Sequence, residues 1–141
     1  MPQWVRQAAA IPVYEGKVCL VTSSSGRRWV IPKGVIEPGQ SAGETALQEA
    51  WEEAGLSGVL HSEPVGSYLF DKNGGLCHVT VFLMQVTEEA DDWPERPSRQ
   101  RVWLPLDDAA DSVREPGLRD IFDAISRTAR PSEIDFEPSL N

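Results

Sequence analysis

The chain has 141 residues, 40% of them hydrophobic, with a formal charge of −9 and a pI near 4.6. That length suits one domain with its own core, and the acidic balance excludes nucleic-acid polymers and anionic membranes as bulk partners, because no broad positive field exists to hold them. No apolar run approaches the ~18 residues of a membrane span, and Met1 to Arg6 lacks the hydrophobic stretch of a secretion signal, so a cytoplasmic location is expected.

The first elements read as strands. Val5 to Tyr14 is rich in small and β-branched residues, Glu15-Gly16 marks a turn, and Lys17 to Val21 completes a strand pair. Ser23 to Gly26 is a loop, Arg28 to Ile31 a short strand, and Pro32-Lys33-Gly34 leads into a helical region. Cys19 and Cys77 lie in apolar, strand-like contexts without metal-type spacing, which reads as two buried, reduced thiols.

Pro38-Gly39 signals a turn, and Ser41 followed by Glu44 has the form of a capping box, so a helix starts at about Ala42. Ala, Leu, Gln and Glu carry it to Ala54, where Gly55 supplies a left-handed cap. Glu49, Glu52 and Glu53 share a sector of roughly 100°, with Thr45 one turn earlier and an apolar stripe of Ala46, Leu47, Ala50 and Ala54 beside it. On spacing alone the acidic sector has two readings. An exposed face tolerates such repulsion at a few tenths of a kcal/mol. A partly enclosed trio, with charges about 4 Å apart repelling by roughly 4 kcal/mol at an effective dielectric near 20, calls for hard cations such as Mg²⁺ or Mn²⁺.

Downstream, Gly58 to Phe70 and Leu76 to Val86 flank Asp71 to Gly75, whose Asn-Gly and Gly-Gly pairs favour a hairpin between two long antiparallel strands. A polar stretch from Glu88 to Arg99 precedes a strand at Arg101 to Leu104, and Asp107-Asp108 are placed to open a helix. Leu118, Ile121, Phe122 and Ile125 follow helical spacing, which predicts an amphipathic helix over Gly117 to Arg127 packed on the sheet. Residues 131 to 141 are polar and aperiodic and read as a loose tail behind a single domain spanning 1 to 130. The expected fold is α+β, a mixed sheet sandwiched between helices.

The segment from Gly34 to Leu56 resembles the signature of the Nudix hydrolases: Gly34, Glu49, Glu52, Glu53, Gly55 and Leu56 fall in register without a gap, and Ala50 fills an aliphatic slot. Two positions depart, Gln40 for a Glu and Gln48 for an Arg. In the family these two side chains brace the loop against the helix, and here an amide–amide hydrogen bond would replace the ion pair. Further segments, Val21 to Ser25, Arg28 to Pro32, His78 to Phe82, Val86 to Glu89, Asp91 to Trp93 and Arg99 to Trp103, resemble the diphosphoinositol polyphosphate phosphohydrolase branch. The resemblance implies hydrolysis of phosphoanhydrides in diphosphoinositol polyphosphates or dinucleoside polyphosphates, by a monomer or homodimer acting on small molecules. It implies Mg²⁺ or Mn²⁺ held by Glu49, Glu52, Glu53 and the Gly34 carbonyl, with the three carboxylates as the catalytic set. An acidic protein needs a local basic collar for such anions. Candidates are Arg6, Arg27, Arg28, Lys33, His78, Arg99 and Arg101, of which Arg28, Lys33, His78 and Arg101 are the expected substrate contacts. Two alternatives stay open. One is a nucleoside diphosphate linked to another group, such as ADP-ribose or a nucleotide sugar, stacked on Tyr68, Phe70, Trp93 or Trp103. The other is a catalytically weakened binding module.

Overall fold

Strand β1 (Trp4–Tyr14) sets the layering, because its side chains alternate between two cores. Ala9, Ile11 and Val13 enter one and Ala8 and Ala10 the other. In the computed structural model, which describes residues 4–72 and 74–128, β1 lies inside one eight-stranded sheet. Helix α1 (Ala42–Ala54) covers one face through Ala46, Ala50 and Ala54. Helices α2 (Leu106–Ser112) and α3 (Pro116–Thr128) cover the other through Leu106, Ala109, Leu118, Phe122 and Ile125. This is the expected sandwich. Small side chains on both α1 and β1 leave the helix close to the strand, which matters for what the helix carries.

One edge of β1 pairs in parallel with β7 (Gly75–Glu89), from Trp4↔Leu76 to Val13↔Gln85. The other edge changes partner. Strand β2 (Lys17–Thr22) pairs at Val13 and Tyr14, whereas β4 (Lys33–Val35) pairs at Gln7 to Ala9. Strand β2 runs on between β8 (Arg101–Pro105) and, at its far end, β3 (Trp29–Val30). The sheet therefore forks between β2 and β4. Strand β4 was not anticipated, since three residues centred on a glycine carry no alternation to read.

The single strand expected over Gly58 to Phe70 is two. Strands β5 (Leu56–Leu60) and β6 (Gly66–Lys72) lie end to end along the same edge of β7. His61 N–H still bonds to Leu83 O at 2.9 Å and Val65 N–H to Val81 O at 2.8 Å, but the residues between them loop out. Pro64 has no N–H to give a ladder, and that is the signal the hydrophobic pattern masked. Within β5, Ser57 faces Glu88 and Gly58 faces Val86, so Thr87 is bulged out. Helix α1 has the expected bounds, and α3 begins one residue before the expected start, with Pro116 in its first turn. The tail expected over 131 to 141 lies outside the described residues.

Candidate active site

Helix α1 is fastened at both ends. At its start Ser41 Oγ accepts from Glu44 N–H at 3.1 Å, and Glu44 Oε1 accepts from Ser41 N–H at 2.8 Å, closing the predicted box. Gly55 ends it with φ 70°. The last carbonyls are claimed by the polar segment between β7 and β8 and by the first residue of β8. Glu95 N–H bonds to Glu52 O and Trp93 Nε1 to Glu53 O, both at 2.9 Å; Arg101 Nη1 reaches Ala54 O at 2.7 Å, and Ala90 N–H reaches Gly55 O at 2.9 Å. These groups would otherwise be orphans.

That fastening fixes three carboxylates in different surroundings. Glu53 is 5% exposed and hydrogen-bonded to Glu49, with Arg99 Nη2 at 3.7 Å from its Oε2. Burial, then the contact with Glu49, pushes the Glu53 carboxyl up to about 8 against the pull of Arg99. Burial also raises Glu49, helped by repulsion from Glu52 and Glu95. The Glu49 carboxylate lies against Gly34, where any Cβ would sit 2.7 Å from Glu49 Oε2, so only glycine leaves room.

Glu52 belongs to a chain of amides. Thr45 Oγ1 donates to Gln40 Oε1 at 3.1 Å, Gln40 Nε2 to Gln48 Oε1 at 2.6 Å, and Gln48 Nε2 to Glu52 Oε2 at 2.7 Å. The amide link expected between Gln40 and Gln48 is present. It has a direction as well, because each amide accepts from one neighbour and donates to the next, ending on a charge.

The fork in the sheet opens a cavity of about 470 Å³ lined by Gln7, Ser23 to Ser25, Arg28, Lys33, Gly34, Glu53, Lys72 and Arg99 among others. A second chamber of about 300 Å³ shares Arg28, Lys33 and Lys72 and adds Phe70, Arg114 and Glu115. Arg28 also pairs with buried Glu115 at 3.7 Å. Lys33 Nζ stands 4.9 Å over the Phe70 ring, and burial lowers its pKa.

Of the expected contacts, Arg28 and Lys33 line both chambers; Arg99, from the wider set of candidates, lines the first. Arg101 does not reach either one. Its guanidinium is spent on Ala54 O, on Ala90 O at 2.6 Å and on Glu89 at 3.1 Å, stacked 4.1 Å from the Trp93 ring. His78 is also absent from both linings, because it faces Arg6 across β1 and so shares the sheet face opposite to Gln7. Arg6 and Arg27 are exposed away from both chambers. Lys72, Arg114 and Gln7 were missed. Lys72 and Arg114 carried only the signal of isolated surface charges, and Gln7 none.

Among the described residues no three His, Cys, Asp or Glu side chains stand close enough together to hold a metal ion. Glu52 is the member turned aside, toward Gln48. The donor chemistry fits a hard divalent ion all the same. Buried Glu53 and half-buried Glu49, with backbone beside them, offer oxygen alone, and a proton on such a raised carboxyl is one that Mg²⁺ or Mn²⁺ can displace.

Residues 4–125 match the NUDIX domain family. The chain belongs to the Nudix hydrolase family. Nudix hydrolase 16, mitochondrial, of Arabidopsis thaliana is 36% identical over 112 residues, 74% of this chain and 62% of that one. Diphosphoinositol polyphosphate phosphohydrolase 3-beta of Homo sapiens is 38% identical over 99 residues, 67% of this chain and 58% of its own length. A C. elegans Ap4A hydrolase binary complex superposes with a TM-score of 0.75 at 21% identity, covering 87% of this chain and 96% of the other, a likeness of fold. The chain spans 52 to 66% of the length of the first three curated relatives.

Two outcomes follow for the Nudix site. Because the Glu53 pKa is raised from 4.5 to about 8, its contribution favours the fold below about pH 4.5 and is lost as pH rises through 8. In metal-free buffer the unfolding midpoint should therefore fall between pH 5 and pH 9 more steeply than that of Glu53→Gln, by differential scanning fluorimetry; parallel curves would contradict the buried-proton assignment. Arg101→Met should lower stability by about 3 kcal/mol, through carbonyls left unpaired, yet leave substrate KM within about twofold. A large rise in KM with unchanged stability would return Arg101 to the substrate site.

Proposed function

We propose that this chain is a divalent-cation-dependent pyrophosphohydrolase that cleaves phosphoanhydride bonds in phosphate-rich small molecules, diphosphoinositol polyphosphates or dinucleoside polyphosphates. One observation carries the reading. In a protein of net charge −9, Arg28, Lys33, Lys72 and Arg99 converge on the single cavity that also receives Glu53. Such a local collar suits a chain of phosphates that the protein's overall field would repel. The aromatic inventory points the same way. Phe70 is the only aromatic lining either chamber among the described residues, and Lys33 already stands over it. Tyr68 is buried in the core, Trp93 lies against Arg101, and Trp103 pairs with Tyr14 and Glu89, so none of the three forms a stacking platform inside the chambers, where the phosphates would lie.

A Mg²⁺ or Mn²⁺ ion held by Glu49, Glu52, Glu53 and the Gly34 carbonyl would neutralise charge on the anhydride oxygens and lower the pKa of water. The chain's own groups do the rest. Arg28, Lys33 and Lys72 hold the phosphates on either side of the scissile bond, and the shared position of all three between two chambers suits a substrate longer than one diphosphate. Both Glu49 and Glu53 have raised pKa values, which suits either one to take a proton from attacking water once the pair is ionised. The amide chain from Gln40 ends on Glu52, and that carboxylate would turn from Gln48 to the ion when a metal binds. Two free, buried thiols suit a reducing compartment, the cytoplasm in our reading.

The test is turnover in Mg²⁺ of diadenosine hexaphosphate, a diphosphoinositol polyphosphate, ADP-ribose and a nucleoside triphosphate, with products resolved by chromatography. The first two should be the best substrates, and Glu52→Gln should lower their rates by at least about 100-fold. Restoring charge with Gln40→Glu plus Gln48→Arg should change rates by less than about threefold, because the amide link already closes. A rise from near zero in that double variant would favour the binding module, and a preference for ADP-ribose would overturn the substrate class.

A further inference from the structure

Gln7 is a buried polar side chain of this cavity that the mechanism leaves unused. It is 7% exposed, on β1, and its Oε1 is buried without a hydrogen-bond partner among the described residues. It lines the first chamber together with Glu53, Lys33 and Arg99. Its register partner on β4 is Val35, one step from the Ala8↔Gly34 pair, so it stands at the carboxylate end. A buried amide with no partner costs stability, and replacing it by an apolar group of the same shape is neutral or favourable. Such a residue at the mouth of a site is where stability is given up for function.

The chemistry of the missing partner follows from the atom left orphaned. A carbonyl oxygen accepts and never donates, and ionised phosphate oxygens only accept. None of the cations that line the chamber, Arg28, Lys33, Lys72 and Arg99, donates to Gln7 Oε1, and Arg99 is already held by Thr22 O, Glu95 and Glu53. A ligand must therefore bring the donor itself. We propose that Gln7 is a specificity-determining residue whose amide receives a substrate hydroxyl beside the scissile phosphoanhydride, favouring hydroxyl-bearing pyrophosphates over chains of bare phosphate. This deepens the pyrophosphohydrolase reading and rests on it. Among phosphate-rich substrates it selects dinucleoside polyphosphates, or inositol pyrophosphates that keep a free hydroxyl.

The experiment compares wild type with Gln7→Met, which keeps the length of the side chain and removes its hydrogen bonding. The probes are diadenosine hexaphosphate, which carries ribose hydroxyls, and inorganic tetraphosphate, which carries none. Both kcat/KM and the dissociation constant by titration calorimetry are measured, so that binding decides where turnover is lacking. The expected result is a loss of about 10-fold or more for the first probe in Gln7→Met, less than twofold change for the second, and an unfolding midpoint unchanged or raised. Equal losses for both probes, no loss for either, or a midpoint lowered by several degrees would overturn the proposal, the last by showing that the amide is structurally paired. Wild type that binds both probes but turns over neither counts against the hydrolase reading alone, and the ratio of dissociation constants still tests Gln7.

Discussion

A carboxyl group buried at the C-terminal end of a helix, its pKa pushed up by burial, is the constraint on which this structure turns. Glu53 lies in the last turn of α1, where the helix dipole already disfavours negative charge and no basic residue of the helix offsets it. It also touches Glu49. An arrangement so unfavourable to ionisation persists because other elements hold it. The segment between β7 and β8 occupies the carbonyls of residues 52 to 55 and sets Arg99 beside Glu53 and Arg101 beneath the helix end. Alanine on both sides of the α1–β1 contact lets the helix lie close to the sheet, and glycine at position 34 lets Glu49 lie against the backbone of β4.

The fork between β2 and β4 converts that packing into a site. Strand β1 loses β2 as a partner beyond Val13 and gains β4 at Ala9, so the gap admits a side chain from the helix on one face to a cavity lined by Gln7 on the other. Cations from β4, β6 and the loops at 28 and 99 then meet a carboxylate whose proton a divalent ion can displace. Whole-protein charge says little about such a place, since within a low-dielectric cleft the nearest few groups set the field.

What could be read from the sequence was what depends on local chemistry. The capping box at Ser41 and Glu44, the left-handed Gly55, the bounds of α1 and the amide link between Gln40 and Gln48 all involve residues within one loop and helix. The amphipathic face of α3 was legible for the same reason. Partnerships set by topology were not. Arg101 looks like a phosphate contact in the sequence, yet its carbonyl partners Ala54 and Ala90 are distant residues brought to it by the β7–β8 segment. His78 was misplaced because strand parity, not residue type, decides which face a side chain serves. Lys72 and Gln7 become site residues only through pairing of β6 with β7 and β4 with β1.

The chemistry of this site turns on the Glu53 carboxyl, whose pKa is raised by burial beside Glu49. The most direct measurement is titration of the metal-free protein with Mg²⁺ at pH 7 in buffers of different ionisation enthalpy, which counts protons released per ion bound. The account predicts release of about one proton by wild type, less at pH 9, and none from this source in Glu53→Gln. Binding of Mg²⁺ by wild type at pH 7 without proton release would contradict it.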